Sequence, residues 1–409
     1  MIKLKLIAGV ILILIGYTGC RKDTKYTTWK TYRGDLGANS YSSLKQINKQ
    51  NVQQLQPAWI FHTGDSREGE RSTIECNPII VNNVIYFTSP QLKLFALDAD
   101  TGKELWRFDP FGEGNARDVN RGVSYWEDGN DKRILYAAHS RLYAIDAQTG
   151  KPVTSFMNGH FVDLREGLGR DTAKLYVSAT SPGIVYKDLI ILGHGTTEGN
   201  KAAPGHIRAF NIKTGNIEWT FRTIPQPGEF GYDTWKNPDA WQYTGGANAW
   251  AGMALDEKRG IVYCPTGSAA PDFYGGYRKG QNLFANSLLA LNAETGERVW
   301  HFQAVHHDLW DYDLPSTPNL VILKKDGKTI DAVAQITKMG HLFVFDRETG
   351  HPIFPVEERQ VPQSDVEGEE TWPVQPFPVK PSPFVRQKYT ENDLPDISEE
   401  ARNFADRKS

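Results

Sequence analysis

The sequence predicts an all-β fold, a β-propeller of four-stranded blades, on three observations. A strand–turn–strand unit recurs along the chain: an apolar strand, a polar turn closed by Thr-Gly, and a second strand ending in an aromatic. The turn glycines Gly102, Gly150, Gly215, Gly296 and Gly350 stand 48, 65, 81 and 54 residues apart, which leaves room for two more strands per unit and for variable insertions. Composition agrees: 37 Gly and 23 Pro supply turns, and 11 Trp, 17 Tyr and 19 Phe supply wedges between sheets. A net charge of −3 gives no reason to expect a polyanionic partner such as nucleic acid.

In chain order, residues 1–20 read as an export segment. Lys3 and Lys5 form a basic start, residues 6–15 a short apolar run, and Thr18-Gly19 places small residues before Cys20. The run is too short for a typical membrane span, so a signal peptide is the better reading. Tyr17-Thr18-Gly19-Cys20 resembles a bacterial lipoprotein cleavage box, with Tyr at the position usually held by Leu. That resemblance implies lipidation at Cys20 and a chain anchored in the periplasmic or cell-envelope space; plain secretion and an uncleaved anchor are the alternatives. Residues 21–28 then form a linker. The other cysteines, Cys76 and Cys264, read as two buried thiols on strands, with a disulfide as the alternative in an exported chain.

The repeat copies occupy 95–108, 143–156, 210–221, 289–302 and 344–354, with further strands expected upstream at 79–87, 134–138, 189–193 and 260–265. The Gly of each turn supplies the positive φ of a tight hairpin, and the leading Asp or Asn hydrogen-bonds its own turn. Trp106, Trp219 and Trp300 close their units and are expected to pack between sheets. Trp59 resembles the same closing strand without its hairpin. The fourth copy is followed at once by a stretch that does not recur, with His306, His307, Asp308, Asp311 and Asp313 packed around Trp310 and Tyr312. A repeated scaffold followed by a unique, carboxylate-rich insert is how repeat folds carry sites. Residues 365–409 are rich in Pro and charge, with no further hairpin signature. The propeller is therefore placed at 29–378 and a tail at 379–409.

Tyr41-Ser-Ser-Leu-Lys-Gln-Ile-Asn48, Arg121-Gly-Val-Ser-Tyr125, Thr180-Ser-Pro182 and the run at 305–315 together resemble the pyrroloquinoline quinone (PQQ) dependent dehydrogenases, or quinoproteins. The membrane-type glucose and sugar dehydrogenases are the nearer branch. The resemblance runs from about residue 29 to 378 and implies an eight-bladed propeller with the cofactor on its axis. About six repeat ends are present here, so two or more blades are missing from this sequence. Either a second chain completes the propeller or the sequence is truncated.

The resemblance also implies a site. PQQ is a flat ortho-quinone with three carboxylates, so its pocket needs cations, a slab to stack on, a divalent metal and a base. Asp311 falls on the catalytic base: a substrate carbon gives up hydride only if its hydroxyl proton leaves, and a carboxylate takes it. Asp313, two residues on, is expected to point the same way along an extended segment. Glu198 falls on a metal-ligand acid and Ser268 on the second protein ligand, with Asp311 and Asp313 near the ion. Calcium is the expected cation, with magnesium or a lanthanide as alternatives. Trp250 falls under the quinone, and Lys338, 27 residues after Asp311, is the cation to it. Arg121 and Glu75 fall on further cofactor contacts, and Thr180 and Ser181 on donors to its carboxylates. His306, His307 and Asp308 orient substrate or the base, or pack behind them. Val119-Asn120 stands where the methanol branch has a vicinal Cys pair. The implied activity is oxidation of an aldose such as glucose, or of another alcohol, with electrons leaving to a membrane quinone or a cytochrome. The rivals are a propeller scaffold of the envelope without cofactor, which leaves 306–313 unexplained, and an inactive or split fragment.

Overall fold

The computed structural model describes residues 28–67, 72–112, 116 and 118–406; Cys20 and the export segment lie outside the described residues. Sheets follow one another along the chain as antiparallel meanders. The first holds β1–β4 (Ile79–Val81, Val84–Thr88, Leu94–Asp98, Glu104–Phe108) and the second β5–β8 (Ser124–Asp128, Asp131–Ala138, Arg141–Asp146, Val162–Asp163). The third holds β9–β12 (Ile184–Tyr186, Leu189–Leu192, Ile207–Asn211, Ile217–Phe221) and the fourth β13–β16 (Ala254–Asp256, Ile261–Pro265, Ser287–Asn292, Arg298–Gln303). A fifth has three strands, β17–β19 (Asn319–Lys325, Lys328–Ile336, Leu342–Asp346), and β20 and β21 (Val356–Gln360, Val374–Pro378) form a hairpin.

The first strand of each sheet is innermost, with β5 beside β9, β9 beside β13 and β13 beside β17. Because strands alternate in direction, loops entering the innermost strands share one face with the loops joining second to third strands. The Thr-Gly turns lie on the opposite face. Apolar clusters fill the gaps between consecutive sheets: Tyr86 and Leu94 against Ile134 and Tyr136, Leu135 against Ile190 and Phe210, Ile191 and Ile207 against Leu255 and Leu289, and Tyr263 against Val333 and Phe345. The segment before β1 crosses the inner strands. The Ile80 amide donates to Trp29 O, Leu255 N to Leu36 O and Leu320 N to Gly37 O, tying the first, fourth and fifth sheets together.

Tryptophan packing is the recurring joint. The indole N–H of Trp106 donates to Ala147 O (3.1 Å), that of Trp219 to Ala293 O (3.2 Å) and that of Trp300 to Arg347 O (3.0 Å), each on the turn of the next sheet. Trp59 does the same to Ala99 O at 3.1 Å, although its segment forms no strand. The ring lies on the turn glycine, where a Cβ on Gly102, Gly150, Gly296 or Gly350 would stand 2.5–2.6 Å from it. These glycines also hold φ of 70–75°, so two constraints select glycine at once. Asp98, Asp146 and Asp346 each accept from the amide and hydroxyl of their Thr, bracing the turns.

The structure corrects four expectations. The strand at 79–87 is a hairpin, β1 and β2, broken at Asn82-Asn83, whose φ of 49° and 66° suit a primed turn. The second and fifth copies do not continue into a paired closing strand. Pro152 and Pro352 follow their turns, make single bridges to Ile145 and Phe345, and lack the N–H a ladder needs. The outer strand of the second sheet is instead β8. The expected featureless 365–409 contains β21, hidden because Pro376 and Pro378 obscure its alternation. Cys264 is buried on β14, but Cys76 lies in the loop before β1; both thiols are free.

Two outcomes follow for stability. Trp219→Ala opens a cavity at a sheet–sheet joint and is expected to lower unfolding free energy by about 3–5 kcal/mol, read by urea denaturation. His194, His206, His301, His306, His307 and His341 are all held below the usual imidazole pKa, burial being the largest cause, with His194 at about 3. A depressed histidine pKa contributes stability that is complete above the unfolded value of about 6.5 and is lost as pH falls. Asp272 and Asp311, whose pKa values are raised, act in the opposite sense, but histidines outnumber them. The urea midpoint is therefore expected to fall between about pH 7.5 and pH 5.

Candidate active site

The residues singled out by sequence gather on the face away from the Thr-Gly turns. Glu75, Arg121, Thr180–Ser181, Trp250 and Asp311–Asp313 lie in the loops entering β1, β5, β9, β13 and β17. Glu198, Ser268 and Lys338 lie in the second-to-third-strand loops of the third, fourth and fifth sheets. Hydrogen bonds join these loops one to the next. Asn77 N donates to Arg121 O (2.9 Å), and Arg121 N to Thr180 O (2.8 Å). The Ser181 hydroxyl donates to Trp250 O (2.6 Å), and the Trp250 indole N–H to Asp313 Oδ2 (3.1 Å). The Lys338 ammonium closes the series, 2.7 Å from Asp311 Oδ2 and 3.1 Å from Asp313 Oδ2.

Asp311 and Asp313 converge on Lys338, but not as alternate residues of an extended strand. Asp311 has φ of 56°, a left-handed turn that swings its carboxylate round. Asp308 holds that turn: its carboxylate accepts from Trp310 N (3.0 Å), Tyr312 N (2.6 Å), Asn286 Nδ2 (2.9 Å) and the Ser268 hydroxyl. Arg278, 1% exposed, reaches the carbonyls of Pro271 (3.0 Å) and Asp308 (2.5 Å) and fastens the two loops together. Asp313 is seated by the Ser268 amide (2.7 Å). A Cβ on Gly267 would strike its carboxylate, so only glycine lets the loop approach.

Electrostatics differ within this cluster. Burial, and then the charge of Asp313, push Asp311 up to about 6 even though Lys338 opposes the shift. Burial lowers the Lys338 pKa, but the two carboxylates outweigh it, and the ammonium is held above its usual value. Arg121 pairs with Glu75 at 3.2 Å and lies 5.5 Å from the centre of the Trp250 ring. Its Nη1 is buried with no partner among the described residues. An unpaired guanidinium N–H beside a flat indole fits an anionic, planar ligand.

The remaining expectations are placed as follows. Glu198 is exposed, and its backbone carbonyl accepts from Asp272 N (3.2 Å). The Ser268 hydroxyl is turned to Asp308 and is not free for a cation. His306 pairs through Nδ1 with Gln303 (2.7 Å) and through Nε2 with Glu358 (3.4 Å), and His307 pairs with Asn282 (2.9 Å). Both imidazoles are thus engaged with scaffold groups rather than with Asp311. Among the described residues, no three His, Cys, Asp or Glu side chains converge closely enough to hold a metal unaided. The donor set is nevertheless oxygen-rich and over-supplied with carboxylates, which suits a hard divalent cation whose shell a bound ligand completes.

Sequence reading missed three groups here. Arg278 gave no signal, its partners being carbonyls. Asp118 accepts from the Ser178 hydroxyl and pairs with His139 at 3.0 Å; burial raises its pKa, but these partners bring it below the usual range. Asp272, in the Ser268 loop, is 9% exposed, and its Oδ1 has no partner among the described residues. Burial, then Asp313, Asp311 and Glu198, push its pKa up to about 8.

The chain has relatives among known proteins. The family model described as PQQ: glucose/ethanol/alcohol dehydrogenase, beta-propeller domain, matches residues 29–409. Quinoprotein glucose dehydrogenase A of Acinetobacter calcoaceticus is 37% identical over 377 residues, 84% of this chain and 46% of that one. A quinate/shikimate dehydrogenase (quinone) of Acinetobacter baylyi is 33% identical, over 90% of this chain and 49% of its own. Among solved structures, the quinohemoprotein alcohol dehydrogenase from Comamonas testosteroni superposes with a TM-score of 0.70 at 28% identity, covering 86% of this chain and 52% of that one. The chain spans about half the length of the curated relatives it matches. It belongs to the PQQ-dependent glucose, ethanol and alcohol dehydrogenase β-propeller family.

Proposed function

We propose that this chain carries the cofactor pocket and catalytic base of a quinoprotein dehydrogenase that oxidises a sugar or alcohol CH–OH group, exported and lipid-anchored through Cys20. The observation that carries it is the knot of Lys338, Asp311, Asp313 and the Trp250 indole. It sets a carboxylate base, a cation and a flat aromatic face side by side on the loop face. When bound, PQQ supplies a hydride acceptor, and a divalent cation supplies a Lewis acid at its quinone oxygen.

The chain's own groups have separate tasks. Trp250 offers the stacking surface, and Arg121, with one N–H free, pairs with a cofactor carboxylate. Lys338 holds Asp311 in place and offers a positive charge to the quinone edge. Asp311 Oδ takes the hydroxyl proton of the substrate as its C–H leaves as hydride. A pKa lifted to about 6 makes Asp311 a stronger base than a free carboxylate while leaving it mainly ionised near neutrality. Glu198, Asp311 and Asp313 would hold a bound divalent cation, whose shell the quinone would complete. Relatives named as glucose, glycerol and alcohol dehydrogenases support the substrate class. Electrons would leave the site to a membrane quinone or a cytochrome.

The test is dye-linked reduction after loading with PQQ and Ca²⁺ against a panel of aldoses and alcohols. Substrate-dependent turnover is expected, falling by about 10²–10⁴-fold in Asp311→Asn. No turnover with any substrate despite bound quinone removes the proposal. The base must be ionised, so the rate is also expected to fall at acid pH.

A further inference from the structure

Asp272 is the one acid of the cluster that neither the repeat nor the family resemblance assigns. It follows Pro271 in the β14–β15 loop, four residues beyond Ser268, and its amide donates to Glu198 O at 3.2 Å. One loop thus brings it beside the Glu198 loop on one side and the seat of Asp313 on the other. The side chain is 9% exposed, and its Oδ1 is buried with no partner among the described residues. The nearby cations do not serve it. The Arg278 guanidinium is turned to the Pro271 and Asp308 carbonyls and to Asn282. Lys338 is turned to Asp311 and Asp313.

Resting on the proposed function, we infer that Asp272 is a further carboxylate of the divalent-cation site, offering its free Oδ1 where the Ser268 hydroxyl does not serve. Ser268 gives its hydroxyl to Asp308 and its amide to Asp313, so its loop still lacks a group free for the ion. A buried carboxylate oxygen without a donor is costly unless it is protonated or a cation reaches it. Hard divalent cations take carboxylate oxygens, and added ligand charge raises their affinity. With Glu198, Asp313 and the oxygens that a bound quinone would add, Asp272 completes the shell of the cation.

The experiment uses the full chain loaded with PQQ. Tb³⁺ luminescence excited through tryptophan reports occupancy, because the Trp250 indole donates directly to Asp313, and displacement by Ca²⁺ gives the affinity. Asp272→Asn is expected to weaken Ca²⁺ binding by about 10- to 100-fold, while Asp272→Glu retains most of it. Thermal melting in EDTA, expected to be no lower in Asp272→Asn than in the wild type, shows that the variant folds. Wild-type and Asp272→Asn affinities within about twofold overturn the inference, as does a wild type with no Ca²⁺-displaceable signal. PQQ binding is measured in parallel. Quinone bound with cation affinity unchanged by the substitution sinks only the role of Asp272, whereas a wild type binding neither sinks the proposed function as well.

Discussion

The site depends on one unbroken series of hydrogen bonds. From Asn77 through Arg121, Thr180, Ser181, Trp250 and Asp313 to Lys338, each loop entering an inner strand is fastened to its neighbour. No single sheet owns the pocket. A side chain such as Trp250 is positioned by Ser181 from the sheet before it and by Asp313 from the sheet after it. The loops can be this irregular because the opposite face is held rigidly, where indoles sit on turn glycines with N–H···O distances of 3.0–3.2 Å. Regular packing on one face frees the other for chemistry.

Charge is distributed unevenly across the site. Asp311 and Asp313 share a single ammonium, and Asp272 feels the charge of both and of Glu198, while the Arg278 guanidinium is turned to carbonyls. Burial then lifts Asp311 and Asp272 to about 6 and about 8. At the other end of the pocket, Arg121 has an N–H to spare. An excess of acid at one end and an unpaired cation at the other match a cation and a polyanionic cofactor bound side by side.

Much of the fold was legible in sequence because its turns are local and its joints repeat. Asp-x-x-Thr-Gly encodes a turn by side-chain hydrogen bonds within three residues, and the closing Trp lies a few residues beyond. What failed was also local: Pro152 and Pro352 remove the donor a strand needs, and Pro376 and Pro378 mask β21. In the site, Asp311, Asp313, Lys338 and Trp250 were found and do meet. Their spacing did not reveal the left-handed Asp311, which turns the acid by backbone conformation rather than by strand alternation. Asp118, Asp272 and Arg278 were missed because their partners lie on other loops or are carbonyls, and nothing in their own neighbourhood announces them.

The proposed function rests on Arg121, Trp250 and Lys338 forming a pocket for PQQ. Titration of the Ca²⁺-loaded chain with PQQ, followed by quenching of tryptophan fluorescence, tests it most directly. The account predicts saturable binding of one quinone per chain, lost or greatly weakened in Arg121→Ala and Trp250→Ala while both variants melt as cooperatively as the wild type. Quenching that never saturates, or that is the same in wild type and both variants, contradicts it.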